Sequence, residues 1–174
     1  MGGAAVVAMT LCQTRRSMTD LRTLDADQLH GSLNWFRGIV VNKLRGLDVE
    51  AATRHRLPSG VTLLGIAKHL TLVEEEWFET VLDGVEKPAW GPDEGFGVAP
   101  EDTVESVIAA YEAQCERSRA IVAARAADQP SALPHFFFGI VTTEWVLFHM
   151  NRETAQHVGH MDVLRELTDG ATGY

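Results

Sequence analysis

Apolar residues recur every three or four positions along most of the chain, and that spacing predicts helices. From Asp25, the positions Leu29, Leu33, Phe36, Val40 and Leu44 make one stripe. Asp25 with Gln28 forms a capping box, and Gly46 stops the run. After a polar connector containing Pro58, Ser59 and Gly60, a second stripe holds Leu63, Ile66, Leu70, Val73, Trp77 and Val81 and ends at Gly84. Glycines and prolines at 84, 88, 91, 92, 95, 97 and 100 forbid a regular element between Gly84 and Glu101, so a long loop is expected. Asp102 with Glu105 opens a third helix with the apolar face Val104, Val107, Ile108, Tyr111, Cys115 and Ile121 or Val122, fading near Asp128. A connector through Pro130 and Pro134 carries the bulky run HFFFG. Thr142 or Thr143 then caps a fourth helix that extends to about Leu167, before Gly170.

Short connections make antiparallel neighbours, whereas a long one permits a crossover to a parallel partner. The long loop joins helices two and three. The expected fold is therefore an all-α four-helix bundle with a crossover between those helices, in up-down-down-up order. No alternating strand pattern or internal repeat competes with it. With 174 residues the chain suits one domain, placed at 21–170, with a disordered N-terminal extension over 1–20, Met18 as an alternative start, and a tail over 171–174.

Composition narrows the function classes. Apolar residues at 45 % and charged residues at 22 % describe a globular protein, neither disordered nor membrane-embedded, and no apolar run is long enough to span a bilayer. A net charge of −9 with no basic cluster argues against nucleic acid as a partner. In the opening MGGAAVVAMTLCQTRRSM the arginines follow the apolar run, where a secretory signal carries them in front. Cys12 and Cys115 are too few for a disulfide framework or a thiolate metal knuckle, so a reducing, cytoplasmic setting is expected. Cys115 itself reads as a small core residue rather than a nucleophile.

The candidate chemistry lies in HMNRETAQHVGH. On a helix, His149, Glu153, His157 and His160 fall within roughly 80° of circumference, in the sector that also holds Val146, Leu164 and Leu167. A carboxylate in an apolar stripe is costly unless compensated, and imidazoles backed by a divalent cation compensate it. Spacing allows His149 with Glu153, Glu153 with His157, or His157 with His160 as a ligand pair, and does not choose among them. The bland alternative pairs Glu153 with Arg152 or Arg165 on the surface. A third ligand should come from another helix, and His69, bordering the second stripe, is best placed. Glu76 lies one face above it as an outer acceptor for a ligand imidazole. Trp35, Trp77, Trp90 and Phe96 are candidates to line a cleft, although Trp35 and Trp77 at helical spacing also suit plain core. Arg37 reads as a surface ion-pair partner or a contact for a substrate carboxylate.

The segments LPSGVTLLGIAKHLTLVEEEWFETVLDG, HMNRETAQHVGHMDVLRELTDG and LNWFRGIVVNKLRGL together resemble the DinB-like superfamily of metal-binding four-helix bundles. The nearest branch is the actinobacterial one related to mycothiol-dependent maleylpyruvate isomerase and thiol S-transferases. The likeness runs from about Leu21 to Gly170. It implies a metal triad falling on the His of AKHL, His69, and on the Glu and His of ETAQH, Glu153 and His157. His149 and His160 then stand beside the triad, in outer or substrate-contact roles. The resemblance implies a divalent metal, zinc first with nickel, iron or manganese as alternatives, and a small thiol cofactor such as mycothiol.

The expected function is a metal-dependent thiol S-transferase or isomerase that activates a low-molecular-weight thiol toward a small-molecule electrophile. A non-catalytic metal- or ligand-binding stress-response bundle and a metal-dependent hydrolase are the alternatives. No HExxH, Walker A, GxGxxG or GxSxG motif points elsewhere. A homodimer is compatible with the sequence, and no membrane partner is expected.

Overall fold

Side-chain oxygens open every helix of the computed structural model, which describes residues 25–88, 90–91 and 95–173 and is all-α; the expected N-terminal extension, with Cys12, lies outside them. Asp25 and Gln28 form the expected capping box at α1 (Ala26–Leu44). Asp48 caps α2 (Val49–Ala52), a single turn inside the connector that periodicity is too short to reveal. Thr62 caps α3 (Leu63–Glu74), which continues as a π-helical segment (Glu75–Leu82). At α4 (Val104–Ala123) the cap is Thr103 with Ser106, not Asp102 with Glu105. Asp102 instead accepts from the Ala99 amide and pairs with Lys68, tying the loop to α3. Thr142 caps α5 (Thr143–Asp169), and Gly170 ends it at φ 78°, a left-handed value that glycine adopts without strain.

Cross-helix pairs give the directions. Lys68 meets Asp102 and Glu79 meets Arg117, so α3 and α4 advance together. Asn151 donates to the Leu29 carbonyl and Arg165 to the Lys43 carbonyl, so α1 and α5 also share a direction. Against α5, α3 runs the opposite way, since His69 lies beside His157 and Trp77 beside Trp145.

All six residues of the second predicted stripe are buried, as are Leu29, Leu33, Val40 and Leu44 of the first. Two apolar clusters result, one centred on Leu44, Leu64, Ile66, Tyr111 and Met161, the other on Leu33, Trp77, Phe78, Leu147 and Met150. Where they meet lies a buried ion pair. Arg37 donates to Glu74 through Nε (2.8 Å) and Nη2 (2.5 Å), and its Nη1 reaches Asn34 Oδ1 at 2.9 Å. Arg37 is thus neither a surface residue nor free for a substrate. Four residues after Leu33 and three before Val40, it borders the apolar stripe of α1, and Glu74 of α3 supplies the charge that lets it be buried there. Trp35 and Leu167, each about half exposed, fall outside the core.

Removing one member of a buried pair strands the other's charge. Arg37→Met should therefore lower unfolding free energy by about 3–5 kcal/mol in urea titration, with most of it recovered in Arg37→Met/Glu74→Leu. A single-variant loss no larger than that of an exposed pair would show that the pair is dispensable.

Candidate functional site

One carboxylate lies between two imidazoles. His69 projects from α3, and Glu153 and His157 project from α5 one turn apart, so the helix repeat brings the latter pair together. Glu153 Oε1 is 3.1 Å from His157 Nε2 and 3.5 Å from His69 Nε2, and one donor atom from each of the three lies within 4.8 Å of the others. Of the pairings that spacing left open, this geometry selects Glu153 with His157. The His157 hydrogen bond, and after it the His69 hydrogen bond, holds the Glu153 carboxyl well below the usual carboxylate range against the opposing effect of partial burial.

The backbone orients the His69 ring. Its Nδ1 is 3.2 Å from the Gly95 carbonyl, which can only accept, so Nδ1 carries a hydrogen and Nε2 is the nitrogen turned toward Glu153. A ring nitrogen facing a carboxylate oxygen calls for a positive centre between them, either a proton or a metal cation. Two nitrogens and one oxygen form a set that zinc and neighbouring first-row ions accept with positions to spare. His157 Nδ1 is buried without a partner. The residues therefore fit a divalent metal.

The loop that carries Gly95 is held close on purpose-built ground. A Cβ at Gly65 would lie 2.7 Å from the Phe96 carbonyl, so only glycine lets this segment rest on the start of α3. Phe96 then stacks on His69 at 4.1 Å and Trp90 meets it edge-on at 5.8 Å. Lys87 pairs with Glu75 and Glu79 and pins the start of the same loop.

From the cluster a cavity of about 790 Å³ opens, lined at one end by His69 and Glu153 and at the other by His135 and Phe136 to Phe138, with Trp77, Trp90 and His149 among its walls. Sequence reasoning passed over His135, noting only the bulk of HFFFG. In the structure this run forms a tight turn in which His135 and Gly139 exchange backbone hydrogen bonds of 2.9 and 2.8 Å. Ala132 and Leu133 donate to the Leu82 and Val81 carbonyls, docking the turn onto the end of the π segment. His135 Nδ1 accepts from the Phe137 amide at 3.2 Å, so its hydrogen resides on Nε2, whereas His69 carries one on Nδ1. Its ring stacks on Trp77 at 4.3 Å and 12°.

Glu76 meets His135 Nε2 at 3.7 Å rather than a ring of the cluster. The docked turn is the reason: it brings the His135 ring alongside the π segment, within reach of the Glu76 carboxylate. His149 stacks on Trp145 at 5.3 Å and 4° and faces the cavity, and burial lowers its pKa. His160 is exposed, its ring edge-on to His157 at 5.7 Å. Met150, His157, Met161 and Leu164 mark the buried arc of α5, whereas His149, His160 and Leu167 lie roughly 40° or more beyond its rim. Trp35 is not in the cavity wall. Arg152 lies over Phe148 and Arg165 pairs with Asp169, so neither is the partner of Glu153.

The chain is thus an all-α protein whose helices hold an imidazole–carboxylate–imidazole group beside an aromatic-lined cavity. The mycothiol-S-transferase family matches residues 28–170, and the chain belongs to that family. The match bears out the likeness to the thiol S-transferase branch read from the three segments quoted above. Among curated proteins none matches the chain. No described helix is long and apolar enough to cross a membrane.

Two outcomes follow. A carboxyl held low in the folded state adds stability above the ordinary value of 4.5, and that stability is lost as pH falls toward the lower folded value. In metal-free protein, Glu153→Gln should flatten the decline of stability below pH 4.5; an unchanged acid profile would deny the carboxylate its two partners. Cys115 is 2 % exposed, and burial pushes its thiol up to about 12. It should resist a disulfide reagent in native protein at neutral pH and react only in denaturant, as peptide mass mapping would show.

Proposed function

We propose that this chain is a metal-dependent mycothiol S-transferase in which His69, Glu153 and His157 hold a divalent cation, zinc first among the candidates. The carrying observation is the convergence of their three ligand atoms at the end of a large open cavity, with His69 Nε2 turned inward by the Gly95 carbonyl. Membership of the mycothiol-S-transferase family supports the thiol and the reaction class. A divalent cation held by these residues would supply the acidity that makes a small thiol a thiolate at neutral pH.

The chain's own groups do the rest. Glu153 contributes the one negative charge of the donor set, and Phe96 and Trp90 pack against His69 and keep water from its ring. The aromatic wall receives the electrophile beside the sulfur, which makes the encounter effectively unimolecular. His149, stacked on Trp145 and tilted against Trp77 at 4.5 Å, is a substrate-contact residue in this reading. The chemistry suits a reducing compartment, in keeping with a buried, unbridged Cys115.

Protein purified without an affinity tag should carry stoichiometric metal by elemental analysis, and His69→Ala should lose it. Thiol conjugation should fall by more than the roughly 10–100-fold that loss of an outer partner costs. Full metal content in folded His69→Ala would overturn the assignment.

A further inference from the structure

We propose that the cavity selects a planar aromatic electrophile carrying no negative charge, and that it turns away carboxylates. The inference rests on the transferase reading above and adds the class of second substrate. Its basis is the wall. Rings make up half of its lining residues: Trp77 stacks on His135 at 4.3 Å, Phe138 lies 5.2 Å from His135, and Trp90 stands at the edge of His69. Ring faces and edges favour other rings, through offset or edge-on contact and a large buried apolar area. A volume of about 790 Å³ leaves room for a flat ring system beside a thiol.

Charge narrows the class further. The fully charged side chains among the described lining residues are Glu75, Glu76, Glu153 and Lys87. Lys87 is committed to Glu75 and Glu79, and Glu153 to the two imidazoles. Among the described residues, Glu76 is paired with the His135 imidazole, at 3.7 Å. Burial lowers the pKa of His135 and of His149, so both rings are biased toward neutrality at physiological pH. Among the described residues, then, no cation in the outer wall is left to pair with a carboxylate, while Glu76 repels one. An isomerase acting on a dicarboxylate would need the reverse arrangement. With an aryl chloride the step balances: the sulfur–carbon bond forms, the carbon–chlorine bond breaks with its electron pair on chloride, and the thiol proton passes to solvent.

Two unreactive probes isolate the selection from the chemistry. Dinitrotoluene is a flat neutral ring, and dinitrobenzoate is a closely similar ring bearing a carboxylate. In calorimetric titration of full-length, metal-replete protein, the neutral ring should bind at least about tenfold more tightly. Glu76→Gln should cut that ratio several-fold by improving the carboxylate alone, and Phe138→Ala should weaken the neutral ring. These two variants carry the test because Trp77 is 4 % exposed and its replacement threatens the core. Equal affinities, or a ratio untouched by Glu76→Gln, would overturn the proposal. Mycothiol conjugation to a small aliphatic electrophile separates the two readings. Aliphatic conjugation without arene binding overturns the aromatic selection and leaves the transferase, whereas selective arene binding without any conjugation upholds the selection and faults the transferase.

Discussion

A carboxylate that two helices must share is the constraint on which this molecule turns. Glu153 and His157 are neighbours by helix geometry, but the pair is complete only when His69 arrives from α3, and that requires α3 and α5 to pack at one particular register. The bundle supplies this register through apolar contacts on either side, with Ile66 and Leu70 below His69 and Val73 and Trp77 above it, all buried. The buried Arg37–Glu74 pair ties α1 to α3 in the same region. Such a pair is a weak source of net stability, but it penalises any register that separates its members.

The two cavity histidines show how backbone groups assign chemistry to identical side chains. A carbonyl from the 95–98 loop holds a hydrogen of His69 on Nδ1, leaving Nε2 for the donor cluster. An amide two residues along forces the hydrogen of His135 onto Nε2, making it a donor toward Glu76. One ring is thereby suited to ligation and the other to lining. Both assignments depend on loops whose placement is itself secured, by Gly65 and Lys87 in the first case and by the Val81 and Leu82 carbonyls in the second.

The π-helical segment links these features. It carries Glu76, Trp77 and Thr80 in the cavity wall, and it offers the carbonyls on which the phenylalanine turn docks. The segment thus contributes to the binding surface while the regular first half of α3 keeps His69 on the core side.

Much was legible along the chain, because a 3.6-residue period and end-capping oxygens are local properties. The helices and their buried stripes, the small inert Cys115, and the pairing of Glu153 with His157 among a few options all follow from spacing. The family likeness named His69 as their companion. What local rules did not reach was decided by contacts between segments distant in sequence. Glu74 compensates the buried Arg37, Asp102 pairs with Lys68 instead of capping α4, and the docked turn brings His135 to Glu76. His135 itself entered the cavity on a turn with no helical period to read. Periodicity reports which side of one helix is apolar. It carries no information about what stands opposite, and a site made of side chains from three segments exists only once they are packed together.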